Sequence, residues 1–317
     1  MVKLITPVSL PNYPRRICYR DRLLFLGSCF SRHIGDFLVD MAFPSLVNPF
    51  GVLYNPLSVA KAIERIANPE FFDASELFPF EGRWHSYMHH SSLSRSSIEE
   101  TLLEINGRLS SAAALWPSCS WLVVTFGSAR VYRLREGGEV VTNCHKQPDR
   151  LFLRQDIPLS ELIDCWEPLT RQLLGNYPQL NILLTVSPIR HLGDGMHANA
   201  VSKAKLLLLC EKLCEMAPDR IFYFPAYEIM MDELRDYRYY ADDLKHPSEL
   251  AVQVIRERFV EALIEPQEKT AMAQIGKLQQ LRRHRLLNPS EEAAAEWREK
   301  IRLLEEQIRI DYPYIEV

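Results

Sequence analysis

Cys29 follows Gly27 and Ser28 directly after the apolar run Leu23, Leu24, Phe25 and Leu26. That succession predicts a buried strand, a tight turn and the first residues of a helix. The first amides of a helix have no intrahelical acceptor and the dipole there favours negative charge, so a thiol at that spot is expected to ionise more readily than a free one. Cysteine is also a common small core residue, and the periodicity of the segment fits both roles. A nucleophile needs a base, and the base an orienting group. Asp243 and His246, three apart before a helix start, can meet across one short turn with the carboxylate orienting the imidazole. Asn143-Cys144-His145-Lys146 puts an amide, a thiol, an imidazole and a cation in succession. If extended, Asn143 and His145 share one face and Cys144 and Lys146 the other, as a site element or as a plain loop. Trp84, His85, His89 and His90 stand in a Ser-rich stretch with no acidic or cysteine ligand at a metal-binding interval. They predict a substrate-lining loop or a solvated surface.

These residues need elements to hold them. Trp121–Phe126, Asn181–Val186 and Ile221–Phe224 are further short apolar runs, suited to strands buried on both faces of a parallel sheet. Gly127 ends the second, and Ser187-Pro188-Ile189-Arg190-His191 closes the third. NPFGVLYNPLS carries Asn48 and Gly51, either polar donors beside the end of the first strand or an ordinary turn. Helices are expected over residues 30–42, from Ser58, over 98–115 with Ile98, Leu102, Leu103, Ile105 and Leu109 inward, over 159–174, and over 199–216 with Lys203 and Lys205 on its outer side. A last core helix runs through Leu250, Val254, Ile255, Phe259 and Leu263, and Val131 to Val141 reads as a hairpin turning at Gly137-Gly138. Residues 1–20, rich in proline, are expected to lie extended along the domain. After Pro266 two charged helical stretches, 267–287 and 290–309, break at Asn288-Pro289-Ser290. Leu278, Leu281, Leu286, Trp297, Ile301, Leu304 and Ile308 make one seam. The expected organisation is an α/β domain over 1–265 and a helical appendage over 266–317 that offers a surface for self-association.

With 317 residues, 47% of them hydrophobic, the chain can bury a full core. A net charge of −4 gives no basic excess for nucleic acid, while a local positive patch for acidic substrates stays open. Seven scattered cysteines do not form a disulfide framework, and Cys210 and Cys214 fit core packing better than zinc. Prolines interrupt the amino-terminal stretch where a signal peptide has its apolar region, and no run approaches membrane-span length. The expectation is a cytoplasmic protein with no membrane association, no nucleic-acid partner, no metal and no cofactor.

Taken together, Gly27-Ser28-Cys29-Phe30-Ser31, NPFGVLYNPLS, TFGSARVY, NCHKQP, SPIRHLGDG and DDLKHPS stand in the order found in the GSCFA family, which the chain resembles over residues 21–250. Ser31 departs from the family's alanine. The GSCFA family is itself similar to the SGNH/GDSL hydrolases. That resemblance implies a three-layer α/β/α sandwich with a mainly parallel sheet, here followed by a helical hairpin. It implies an ester-cleaving or acyl-transferring Cys/Ser-His-Asp site, with Cys29 where the serine stands and Asp243 and His246 as the terminal pair. Ser28 is the reserve nucleophile. Ala129 stands where the usual oxyanion-hole asparagine belongs, so Asn143 or Asn48 would substitute, beside the backbone N–H groups of Cys29 and Gly51. Gly127, His145 and Arg190 complete the expected substrate-binding set. The implied substrate is a small-molecule or carbohydrate ester, by analogy an O-acyl group. The alternative is a catalytically inactive binding or assembly protein that kept the pocket.

Overall fold

The computed structural model describes residues 5–284 and 290–317. In chain order the strands are β1 (Leu23–Gly27), β2 (Ser45–Val47), β3 (Leu77–Phe80), β4 (Arg83–Ser86), β5 (Trp121–Phe126), β6 (Arg130–Leu134), β7 (Val140–Val141), β8 (Phe152–Asp156), β9 (Asn181–Val186) and β10 (Ile221–Tyr223). The helices are α1 (Cys29–Asp40), α2 (Pro56–Ala67), α3 (Ile98–Leu115), α4 (Leu159–Asn176), α5 (Met196–Met216), the short α6 (Ala226–Glu228), α7 (Glu249–Leu263), α8 (Lys269–Arg283) and α9 (Glu291–Asp311).

Five strands form the central sheet in the order β10-β9-β5-β1-β2, every pair parallel. Their period-two alternation divides the core in two. Leu24, Leu26, Leu122, Val124, Ile182 and Leu184 face the layer of α2, α3, α4 and α5. Leu23, Phe25, Trp121, Val123, Leu183 and Phe222 face the layer of α1, α7 and α8. Each such side chain, fully buried, contributes about 1.5–3 kcal/mol. The expected three-layer α/β/α architecture is therefore present. The chain builds outward from β1 first to β2 and then, on the other side, to β5, so the sheet reverses its order between β1 and β5. The crevice beyond the carboxyl ends of those two strands is where such sheets hold ligands.

The segment before β1 lies along the domain as expected: Tyr13, Ile17 and Tyr19 are buried, and Ile17 bridges to Ile264. The hairpin turning at Gly137 and Gly138 forms as β6 and β7, and β8 pairs on its other side. After Pro266 the two helices form, and Leu278, Ile301, Leu304 and Ile308 of the seam pack on the α1 layer together with Ala271 and Ile275. Arg283 pairs with Asp40 at 2.5 Å. Leu286 and the Asn288-Pro289 break lie outside the described residues. Among the described residues, no helix is long and apolar enough to cross a membrane.

Three local expectations are corrected. Residues 77–86 are a β-hairpin, and His85 and His89 are core rather than loop or surface. His89 stacks on Phe50 at 4.8 Å with Phe72 edge-on at 4.7 Å, and its Nδ1 meets Ser86 Oγ. Lys203 is not on the outer side of α5 but only 1% exposed. Leu103 and Leu250 face outward, at 78% and 48% exposure, while their neighbours Leu109 and Ile255 are buried.

Candidate active site

The turn after β1 is built by close approach. Gly27 has φ +136°, and a side chain there would place its Cβ 2.2 Å from the carbonyl oxygen of Thr125 in β5, so only glycine fits. Ser28 donates its N–H to that same carbonyl at 3.1 Å, and its Oγ caps α1 by accepting from Phe30 N at 3.3 Å. Ser28 is fully buried, whereas Cys29, the first residue of α1, is half-buried. The Cys29 sulfur lies 3.6 Å from the hydroxyl of Tyr54. Burial first, then the thiol beside it, pushes the Tyr54 phenol well above the usual range, so the phenol stays protonated and can donate to a thiolate there.

The segment between β2 and α2 wraps this turn. Asn48, in the left-handed region at φ +46°, accepts from Gly27 N at 3.0 Å through Oδ1, which leaves its buried Nδ2 without a partner. Gly51, at φ +74°, lies so close to His90 that a Cβ would come within 2.4 Å of it. Its N–H donates to Asn48 O at 2.8 Å and is not free for a substrate. Tyr54 O accepts from both Gly127 N and Ser128 N, at 2.7 and 2.9 Å, so those amides are taken too. Ala129 N donates to Ser202 Oγ and its side chain is in the core. Lys203 ties the two neighbouring strand ends together: Nζ donates to Gly127 O and to Ser187 O, each at 2.7 Å. Burial brings its pKa down to about 7.

Asp243 and His246 do meet. Asp243 Oδ2 is 2.6 Å from His246 Nδ1, while Oδ1 accepts the N–H groups of Lys245 and His246. Those donors hold the carboxyl well below the usual range, fixing the charged acceptor and turning Nε2 of the imidazole outward. The loop is anchored to the segment after β9: Arg190 donates to Leu244 O at 2.5 Å and, through its backbone N–H, to Lys245 O. Tyr240 lies under the guanidinium at 4.4 Å.

A cavity of about 600 Å³ joins these parts, lined by Tyr54, Ser128, Asn143, Arg190, His191 and His246 among others. His246 also acts electrostatically on His33, one turn beyond Cys29 on the same side of α1. Partial loss of solvent, then Arg32 and His246, hold the His33 imidazole below its ordinary value. Tyr54, Asn143, Arg190 and His246 thus line one hollow, with Cys29 tied to it through Tyr54 and Asp243 through His246. Another hollow, of about 660 Å³ on α3, is lined by Arg95, Glu104 and Arg108, which pair with one another.

His145 is not in that group. His145 and Lys146 take left-handed conformations, at φ +51° and +59°, so the tetrapeptide is a turn and the expected alternation does not apply. His145 instead packs 4.5 Å from the His85 ring, with Nε2 against Ser86 O, while Asn143, Cys144 and Lys146 line the cavity. Asn143 Oδ1 accepts from His145 N at 2.7 Å, so the turn orients the amide. Tyr54 and His191 are cavity residues that the sequence reading did not single out, although both sit inside motifs it did. Their rings meet edge to face at 5.8 Å. Burial, then Lys203 and His246, bring His191 down to about 4.

The model of the GSCFA family matches residues 22–259, more than half of the chain. The chain belongs to the GSCFA family. The match spans every residue of the GSCFA site described above, from the Gly27-Ser28-Cys29 turn to His246. No curated protein matches it. Among solved structures, this GSCFA chain is similar to a protein of Streptococcus pneumonia provisionally described as a platelet activating factor (12% identity, 77% of this chain and 84% of that one, TM-score 0.37). It is also similar to the acetyl xylan esterase Est2A of the rumen bacterium Butyrivibrio proteoclasticus (10% identity, 84% of this chain and 67% of that one, TM-score 0.36).

Proposed function

We propose that this GSCFA protein cleaves or transfers acyl groups from esters through Cys29. The observation that carries the proposal is the Asp243–His246 pair, bonded at 2.6 Å, whose imidazole lines the same cavity as Tyr54, the hydrogen-bond partner of the Cys29 sulfur. Cys29 gives its proton to Nε2 of His246, whose Nδ1–H is held by Asp243, and the thiolate attacks the ester carbonyl carbon. The tetrahedral oxyanion is received by the Cys29 N–H and by an asparagine amide, Asn143 across the cavity or the unpartnered Asn48 Nδ2 beside Gly27. Each such donor is worth about 3 kcal/mol in the transition state. His246 then protonates the leaving alkoxide, and the C–O bond breaks to leave a thioester on Cys29. Water, or an acceptor alcohol, gives its proton to His246 as it attacks, and the acid or new ester departs with Cys29 restored. The Tyr54 hydroxyl donates to the sulfur as negative charge gathers there. Ser28, sealed under α1 as its cap, positions Cys29.

A binding protein with a silent site is the second reading. Ala129 in place of an oxyanion asparagine favours it, as do the occupied N–H groups of Gly51 and Gly127. Hydrolysis of 4-nitrophenyl acetate decides between them. Cys29→Ala is expected to lower kcat/KM by roughly a thousandfold or more, with iodoacetamide blocking the wild-type reaction in step with labelling of Cys29 in peptide maps. No turnover by the wild type supports the silent reading, and full turnover by Cys29→Ala removes Cys29 as the nucleophile.

A further inference from the structure

The protein as a whole is negative, at −4, yet the cavity beside Cys29 is positive. Its wall holds five Arg and Lys side chains, Arg130, Lys146, Arg154, Arg190 and Lys245, against two carboxylates, Asp149 and Asp194. Arg130 and Arg154 share Asp194, which accounts for the neutralised part. Lys146, Arg190 and Lys245 have no acidic partner within 4 Å among the described residues, and the nearby Asp243 is engaged by His246. The three come from separate parts of the chain: the turn after β7, the end of β9 and the loop before α7. Arg190 is in addition held rigid, sandwiched between Tyr240 and the Leu244 carbonyl, with its buried Nε unpartnered. The buried Nε2 of His191 beside it is unpartnered as well.

Excess cations gathered from distant segments, one of them immobilised, are arranged for an anion. A concavity lined by one sign of charge raises the local concentration of a ligand of opposite charge, and charge-assisted hydrogen bonds hold it there. We propose that the substrate is an anionic ester, carrying a carboxylate or phosphate that Lys146, Arg190 and Lys245 receive while its acyl group faces Cys29. The placement of the acyl group rests on the esterase reading, whereas the anion site does not. Carboxylate and phosphate share the chemistry recognised here, and the test separates them.

Three acetyl esters that differ only in the group on the ring give that test: 4-acetoxybenzamide, 4-acetoxybenzoate and 4-acetoxyphenyl phosphate. Wild-type kcat/KM should favour a charged ester over the amide by about tenfold or more, the advantage shrinking as salt rises from about 0.05 M to about 0.5 M. The larger of the two charged responses names the anion. Lys146→Gln combined with Lys245→Gln should cut the charged-to-neutral ratio by about tenfold. Binding of the same three compounds to Cys29→Ala, followed by calorimetry, gives the second arm. Charged compounds that bind tighter by the same factor without any wild-type turnover keep the anion site and remove the esterase reading. Turnover or binding that is equal for all three, or a ratio indifferent to the double substitution, overturns the anion site and leaves the esterase reading standing.

Discussion

Ser28 and Cys29 are adjacent, yet the fold gives them opposite tasks. Ser28 is fully buried, with its oxygen committed to Phe30 N, while the Cys29 sulfur reaches Tyr54. Ser28→Ala should therefore cost about 1 kcal/mol in urea unfolding and keep most of the ester hydrolysis that Cys29→Ala loses. Loss of activity in Ser28→Ala with activity kept in Cys29→Ala would move the nucleophile to Ser28. Histidines set a second residue-scale property. Burial brings His89 to about 3, and His145 and His191 to about 4, from the ordinary 6.5. The unfolded chain thus takes up protons first, so the stability held by these neutral rings is complete above pH 6.5 and is lost as pH falls toward 4. Each contributes a slope of about 1.4 kcal/mol per pH unit inside that window. Tm should fall steeply between pH 6.5 and pH 4, and His89→Leu, filling the space between Phe50 and Phe72, should flatten the curve by one group's share. An unchanged slope in that variant would mean that the ring already carries a proton in the fold.

At the scale of elements, the meeting of two strand ends makes the site. β1 and β5 come together so closely at Gly27 that an added methyl would strike Thr125 O at 2.2 Å, on a backbone already at φ +136°. Gly27→Ala is expected to destabilise the protein by roughly 3 kcal/mol or more in chemical denaturation, and a loss under about 1 kcal/mol would show that the two ends are free to part. The glycine and the strands around it were legible in the sequence because continuous apolar runs with abrupt polar ends have few alternative readings. So was the Asp243–His246 contact, a local turn that depends on nothing remote. What the sequence concealed was long-range. Lys203 reads as a solvated charge, and only the convergence of two strand-end carbonyls explains why its ammonium is buried. His85 and His89 read as polar because a histidine's ring shows its apolar faces only when aromatic neighbours from other segments stack on it. Leu102 packs against the core while Leu103, about 100° further round α3, faces water. Tyr54 carried no signal apart from its motif, since its role depends on the turn it closes over.

For the molecule as a whole, the question is whether residues 266–317 are a separate unit or part of the α1 layer. Their composition is charged, which suggests an arm held at a distance. Their buried side chains say otherwise: Ala271, Ile275 and Leu278 of α8 and Ile308 of α9 are at 0% exposure, in one apolar cluster with Phe30, Leu38 and Phe259. Gly276 approaches the Met41 sulfur, where a side chain would stand 3.7 Å away, and Arg283 pairs with Asp40. The hairpin therefore supports α1 from behind, and α1 carries Cys29 at its other end. Removing three buried carbons from α8 should be felt by the whole domain. Ile275→Ala is expected to lower stability by about 2–5 kcal/mol, and calorimetry should show one transition moved to lower temperature, with alkylation of the buried Cys119 rising over the same range. If the hairpin were an independent arm, the variant would instead show a small early transition with the main one unmoved and the thiol still protected.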